Sequence, residues 1–102
     1  MASRLDLQSK LIELLGSDHV YFQPPASIRL TYPCVIYNLT NIESTKADNI
    51  SYRLDNGYEV TYIDKNPDND FKTQMLKVFP MCRFNRFFVN DNLNHYVFTL
   101  YY

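Results

Sequence analysis

Tryptophan is missing from this 102-residue chain, and glycine and cysteine occur only twice each. Each shortage removes a class of function. With two glycines there is no phosphate-cradling Gly-rich loop, and neither a nucleophile elbow nor a zinc-binding helix motif occurs. Cys34 and Cys82 lie far apart in apolar stretches. They fit reduced core thiols of a reducing compartment, the alternative being a single Cys34–Cys82 bridge. With His19 and His95 they match one zinc site in number, but without the close paired spacing such sites use. Charge of one sign is lacking too: ten Lys and Arg face eleven Asp and Glu, for a net charge of −1. That balance excludes the strong basic footprint of a nucleic-acid binder. No stretch approaches the ~20 apolar residues of a membrane span. Met1 to Leu15 carries no apolar run of the signal-peptide kind.

What the chain has in surplus is aromatic residues, nine Tyr and seven Phe. Tyr joins a large apolar body to a polar tip, which suits half-buried sheets and protein interfaces. A Tyr-rich core encoded by an A/T-biased genome is the plainer source of the same surplus. The length is that of one domain, residues 1–102, large enough to bury a core without disulfides.

Periodicity predicts the order helix, three strands, helix, two strands. Ser3 can cap a first helix with Asp6 at its positive end, Leu5, Leu11, Ile12 and Leu15 share a face, and Gly16 ends it. Val20 to Gln23 is extended as far as Pro24-Pro25, and Ile28 to Tyr32 as far as Pro33. Cys34 to Leu39 is a strand apolar on both faces. Ser44 to Asn49 is polar and predicts a loop. Ile50, Tyr52 and Leu54 alternate, as do Tyr58, Val60 and Tyr62, around the turn signal Asp55-Asn56-Gly57. Two arrangements satisfy this pattern. Either Asn56-Gly57 caps a protruding hairpin, or Ile50 to Leu54 is irregular and Tyr58 to Asp64 pairs with Cys34 to Leu39. Asn66-Pro67-Asp68 predicts the start of a second helix, with Phe71, Met75, Val78 and Phe79 on its apolar face and Pro80 as its end. Cys82 to Val89 and Asn94 to Tyr101 are strands joined at Asn90-Asp91-Asn92. The fold class is α+β: a mostly antiparallel four- to five-stranded sheet with two short helices, order α-β-β-β-α-β-β.

Three constellations could carry chemistry. Asp64, Asp68 and Asp70 are hard-oxygen ligands for a divalent cation, but they lack the central Gly and closing Glu of a calcium loop. The plainer reading is a strand-to-helix turn with acids at the helix start. Arg83-Phe84-Asn85-Arg86-Phe87-Phe88 interleaves cations with rings that could stack on single-stranded nucleic acid. Strict alternation there puts Phe84, Arg86 and Phe88 on one face and Phe87 on the other. The competing reading is a core strand near a sheet edge with snorkelling Arg stems. His19 and His95 have no evident nucleophile partner. Strands apolar on both faces need cover on both sides, and two short helices cover one. The second face therefore meets another subunit, or else the Val20 to Tyr32 segment folds over it.

Three phrases carry a resemblance: Tyr32-Pro33-Cys34-Val35-Ile36-Tyr37, then Tyr58-Glu59-Val60-Thr61-Tyr62-Ile63-Asp64-Lys65-Asn66-Pro67-Asp68, and finally Asp91-Asn92-Leu93-Asn94-His95-Tyr96-Val97-Phe98-Thr99-Leu100-Tyr101-Tyr102. With the leading helix they resemble the tail terminator, or tail-completion (head–tail joining), proteins of long-tailed bacteriophages, over residues 27–102. The resemblance implies a virion structural protein and not an enzyme, with no cofactor, metal or catalytic residue. It implies a ring, usually hexameric, on the last ring of the tail tube, built in the host bacterial cytoplasm. Its partners would be further copies of itself, the tail tube protein and the head–tail connector, with double-stranded DNA passing through the lumen unbound. On that picture Asp64, Asp68 and Asp70 are ring or lumen contacts, Tyr52, Arg53 and Asn56 lie on an inter-ring arm, and Tyr101 and Tyr102 are interface aromatics. The alternatives are a connector or adaptor on the portal side and a small single-stranded nucleic-acid-binding module.

Overall fold

A computed structural model describes the backbone of residues 4–47 and 50–102, and the side chains of that range outside residues 41–56. The elements are α1 (Arg4–Leu15), β1 (Val20–Phe22), β2 (Cys34–Ala47), β3 (Ile50–Asp64), α2 (Phe71–Val78), β4 (Cys82–Asn90) and β5 (Leu93–Tyr101). The class is α+β. One five-stranded sheet runs β1-β2-β3-β5-β4. It is mixed: β1 pairs parallel to β2, and the other three pairings are antiparallel. The expectation of a mostly antiparallel sheet holds for these three pairings, and the β1–β2 pair departs from it. The parallel pair arises because residues 23–33 are long enough to carry the chain back across the sheet end before β2 begins. Val20–Phe22 thus joins the sheet as an edge and does not lie over its second face.

Both helices lie on one face: α1 packs against α2, β1 and β2, and α2 packs against β4. Cross-strand rows on that face build the core. Val35, Tyr62, Tyr96 and Phe87 form one row, and Tyr37, Val60, Phe98 and Phe84 the next. Leu7 and Leu11 of α1 and Phe71, Met75 and Phe79 of the α2 region close over them. The buried stripe of α1 is set by Leu7 and Leu11; Leu5 is 66% exposed, so the face expected to include Leu5 is rotated. On α2 the i, i+4 series Phe71–Met75–Phe79 is buried and Val78 is exposed. Gly16 ends α1 at φ +81°, its N–H donating to the Ile12 carbonyl, and the left-handed conformation there is the usual glycine helix stop. The proposed Ser3 cap lies outside the described residues.

Two boundaries differ from expectation. The helix starts at Phe71 and not at Pro67, because residues 64–70 form a chain of side-chain turns. Asp64 accepts from the Asn66 N–H, Asn66 from the Asp68 N–H, and Asn69 from the Phe71 N–H. These local bonds compete with the helical ladder and hold the segment non-helical. Asp55-Asn56-Gly57 is not a turn. Ile50–Asp64 is one strand, and Gly57 sits in mid-sheet between Asn41 and Tyr101. Cross-strand pairing on both sides overrides the turn preference there. Tyr58 to Asp64 does pair with Cys34 to Leu39, and Ser44 to Ala47, expected as loop, continues β2. At the other hairpin Asp91 and Asn92 have φ 52° and 62°, the two left-handed residues of a tight two-residue turn.

Candidate functional site

Three surfaces of this fold lack a partner within the described residues: a ribbon, the β4 side of the second sheet face (called the open face below) and a free strand edge. The ribbon follows from unequal strand lengths. On β2 the last pairing with β1 is Phe22↔Tyr37, and on β3 the last with β5 is Gly57↔Tyr101. Beyond these points β2 and β3 pair only with each other, through residues 41–47 and 50–56. The long axis of the molecule reaches 51 Å, against 28 and 23 Å for the others. Tyr52, Arg53 and Asn56 belong to this ribbon, and their side chains lie outside the described set.

The open face carries three rows: Cys34, Ile63, His95 and Phe88; Ile36, Thr61, Val97 and Arg86; Asn38, Glu59, Thr99 and Arg83. It grades from apolar to polar across the sheet. Cys34, Ile63 and Val97 are buried, while Arg83, Arg86 and Phe88 are exposed. The face assignments on β4 differ from strict alternation. A register shift between Phe84 and Arg86 leaves Asn85 as an extra residue. A bulge restores the phase after one step, so Phe84 and Phe87 both point to the helix side, and Arg86 and Phe88 to the open side. Phe88 stacks on His95 with centroids 4.5 Å apart, and the Arg86 guanidinium lies 5.8 Å from the Phe88 centroid. The open side of β4 presents two arginines, Arg83 and Arg86, a small charge for holding a phosphate backbone.

The free edge is β4, the last strand of the sheet. Every residue from Arg83 to Asn90 is exposed. Beside it, Pro67, Lys72, Leu76, Phe84, Phe87 and Tyr96 line a groove of about 520 Å³. The Lys72 ammonium sits 5.4 Å over the Tyr96 ring, and Leu76 is 46% exposed at the groove's side.

The three aspartates expected to act together do not converge. Asp64 accepts from the Tyr62 hydroxyl at 2.6 Å and from the Asn66 N–H at 3.1 Å. Asp68 and Asp70 are exposed, and Asp70 precedes α2 without a side-chain cap bond. The turn is anchored from β5: Asn94 Nδ2 donates to the carbonyls of Asp64 and Lys65, and the Tyr96 hydroxyl to that of Pro67. Burial, with the Asp64 contact next, pushes the Tyr62 hydroxyl well above its ordinary pKa. Among the described residues no three His, Cys, Asp or Glu side chains are arranged to hold a metal ion. Cys34 lies on the open face and Cys82 on the helix face at the far end of the sheet, so they cannot bridge. Burial pushes each thiol up to about 11.

Tyr101 and Tyr102 also separate. The Tyr102 hydroxyl donates to Asp6, its ring packs edge-on against Phe79, and Lys10 lies 5.0 Å over it. It ties the end of β5 to α1. Tyr101 lies on the other side, in a cleft of about 800 Å³ with Met81, Arg83 and Thr99. Sequence reasoning missed the groove under Leu76 and Phe87, since its signal, the bulge at Asn85, is invisible to alternation. Among the described residues no helix is long and apolar enough to cross a membrane. No protein-family model and no curated protein matches the sequence.

Proposed function

We propose that this chain is a virion structural subunit of the tail terminator type, without chemistry or cofactor of its own. The β2–β3 ribbon carries this reading. An isolated two-stranded ribbon is marginal in water, and this one extends past every other strand of its sheet. A ribbon of that kind finds its stability against a neighbour, which is the requirement of an assembly protein. Copies join by heterologous contacts that close by rotation into a ring, six-fold on the resemblance. The ring sits on the last ring of the tail tube, halts its growth and offers a dock to the head connector. The net charge of −1 suits a lumen that double-stranded DNA crosses without sticking.

In this reading residues 41–56, with Tyr52, Arg53 and Asn56, reach the adjoining ring, and the exposed Asp68 and Asp70 face the lumen or a ring neighbour. The ribbon is tested by replacing residues 41–56 with a two-residue Asn-Gly turn. The shortened protein keeps all of the core residues named above, which lie outside residues 41–56, and no longer stops polymerisation of the tail tube protein, scored by tube length in electron micrographs. Full tube capping by the shortened protein would remove the ribbon from the account. Pulldown against the portal-side connector and the tube protein separates a terminator from a head-side adaptor. Preference for the connector would move the protein to the head side.

A further inference from the structure

The two edges of the sheet are treated differently by the sequence. At one end β1 is three residues long, a blunted edge. At the other β4 runs for nine residues, and its regular part, Arg86 to Asn90, has no proline and one charge. Natural sheets shield such an edge, because its unpaired N–H and C=O groups template another strand. The side chains on it are apolar as well: Phe84, Phe87 and Phe88 are 40–47% exposed and Val89 is 59% exposed. We infer that β4 is a docking edge for the β4 strand of a second copy, joining two sheets antiparallel about a two-fold axis at Phe88.

The register follows from the residues. A two-fold axis at Arg86 would set two arginines opposite each other, and directly opposed like charges are destabilising. An axis at Phe87 would bring Val89 opposite the bulged Asn85, where the ladder is broken. An axis at Phe88 keeps the contact within the regular stretch. Phe88 then meets its own copy on the open face, beside the His95 stack. Phe87 meets Val89 of the other copy twice on the helix face, at the side of the groove below Leu76. Arg86 meets Asn90, with Asp91 next along the chain, so a cation faces an acidic turn at both ends. The pairing sets apolar opposite apolar and puts each arginine opposite a neutral Asn90 that adjoins the acidic Asp91, with one sequence, which is the self-complementarity that an isologous contact requires.

The area sets the class of contact. The exposed parts of three half-open aromatics and their neighbours amount to several hundred Å² per copy. That places the contact at the low end of specific interfaces, below about 1,200 Å² in total. Contacts of this size are typically transient, so the dimer should dissociate on dilution. The inference stands apart from the ring reading, since a two-fold contact closes on itself and needs no tube.

Cysteine scanning reads the register directly. In a Cys82→Ser background, Phe88→Cys places two thiols across the axis, with Cα atoms about 4.5–5.5 Å apart as in any antiparallel pair. That spacing accepts a disulfide. Phe88→Cys should cross-link to itself under mild oxidation. Arg86→Cys and Asn90→Cys should each remain monomeric alone and cross-link when mixed. Sedimentation equilibrium of the unmodified chain should show a monomer–dimer equilibrium that the exposed-site variant Val89→Lys weakens at least tenfold, with circular dichroism unchanged. A monomer at all concentrations up to sub-millimolar would overturn the inference, and so would self-cross-linking of Arg86→Cys without that of Phe88→Cys. Retention of single-stranded oligonucleotide by the Arg86–Phe88 edge with no dimer present would overturn it in favour of a nucleic-acid surface.

Discussion

Deleting Asn85 should be nearly harmless, although it removes a residue from the middle of a strand. In a regular strand a one-residue deletion moves every following side chain to the opposite face. Here Phe84 opposes Phe98 and Arg86 opposes Val97, so Asn85 is the surplus residue of a bulge. Removing it leaves Arg86 and Phe88 on the open face and Phe87 on the helix face. The lost side chain is exposed, and it makes a 3.5 Å hydrogen bond from Nδ2 to the Thr99 hydroxyl. The expected cost is within about 0.5 kcal/mol, the range of ordinary surface changes. Deleting Thr99 from β5 is the contrast. That strand is paired on both sides and has no bulge there, so Leu100, fully buried, would turn out of the core. Loss of a buried Leu costs about 2–5 kcal/mol. For a domain of this size 1 kcal/mol moves Tm by roughly 4–8 °C. Thermal unfolding followed by circular dichroism should show the Asn85 deletion within roughly 4 °C of the parent and the Thr99 deletion lower by roughly 10 °C or more. Equal losses would refute the bulge and with it the face assignments on β4.

Three further predictions rest on single groups. The buried Tyr37 hydroxyl accepts from Arg4 Nη1 at 3.2 Å and donates to Gln8 Oε1, so Tyr37→Phe should cost about 1 kcal/mol in urea unfolding by leaving that oxygen without its donor. No loss would show the hydroxyl to be idle. Gly16→Ala meets no atom within 4 Å but retains φ +81°, so its cost should be purely conformational, about 1 kcal/mol by the same measurement. The Cys34 and Cys82 thiols sit at about 11 in the fold against 9.0 when free. Groups raised in this way favour the fold fully below their free value and lose that contribution as pH rises through the folded one. Urea midpoints should therefore be flat from about pH 6 to 8 and fall between about pH 9 and 11; a decline already under way near neutrality would contradict this origin.

The features that could be read from the sequence were those set by local chemistry. Gly16 marks a helix stop because only a left-handed residue closes that turn, and Asp91-Asn92 marks a hairpin for the same reason. The apolar spacing Phe71–Met75–Phe79 is a helix face whatever surrounds it. The misread features depend on distant partners. Asp55-Asn56-Gly57 has turn chemistry, yet Tyr101 of β5 arrives from 44 residues downstream to pair with Gly57 and keep it extended. Pro67 has the chemistry of a first helical residue, but Asn94 and Tyr96 hold its segment as a turn. The parallel seat of β1 and the bulge at Asn85 are properties of pairing, and a strand's own residues do not announce its neighbours. The candidate surfaces divide in the same way. The aromatic surplus left a contact surface and a Tyr-rich core both open: Tyr37, Tyr58, Tyr62 and Tyr96 are core residues, while the exposed rings Phe84, Phe87 and Phe88 came together on an edge only with the sheet order.

The central claim, that the chain is an assembly subunit of a phage tail, is tested most directly by mass from light scattering across a concentration series, with and without the tail tube protein of the same genome. The account predicts a ring-sized species, or tubes that stop growing once this protein is added, whether the protein alone is monomeric or dimeric. A protein that leaves tube growth unchanged and forms no larger species with tube protein at any concentration would contradict it.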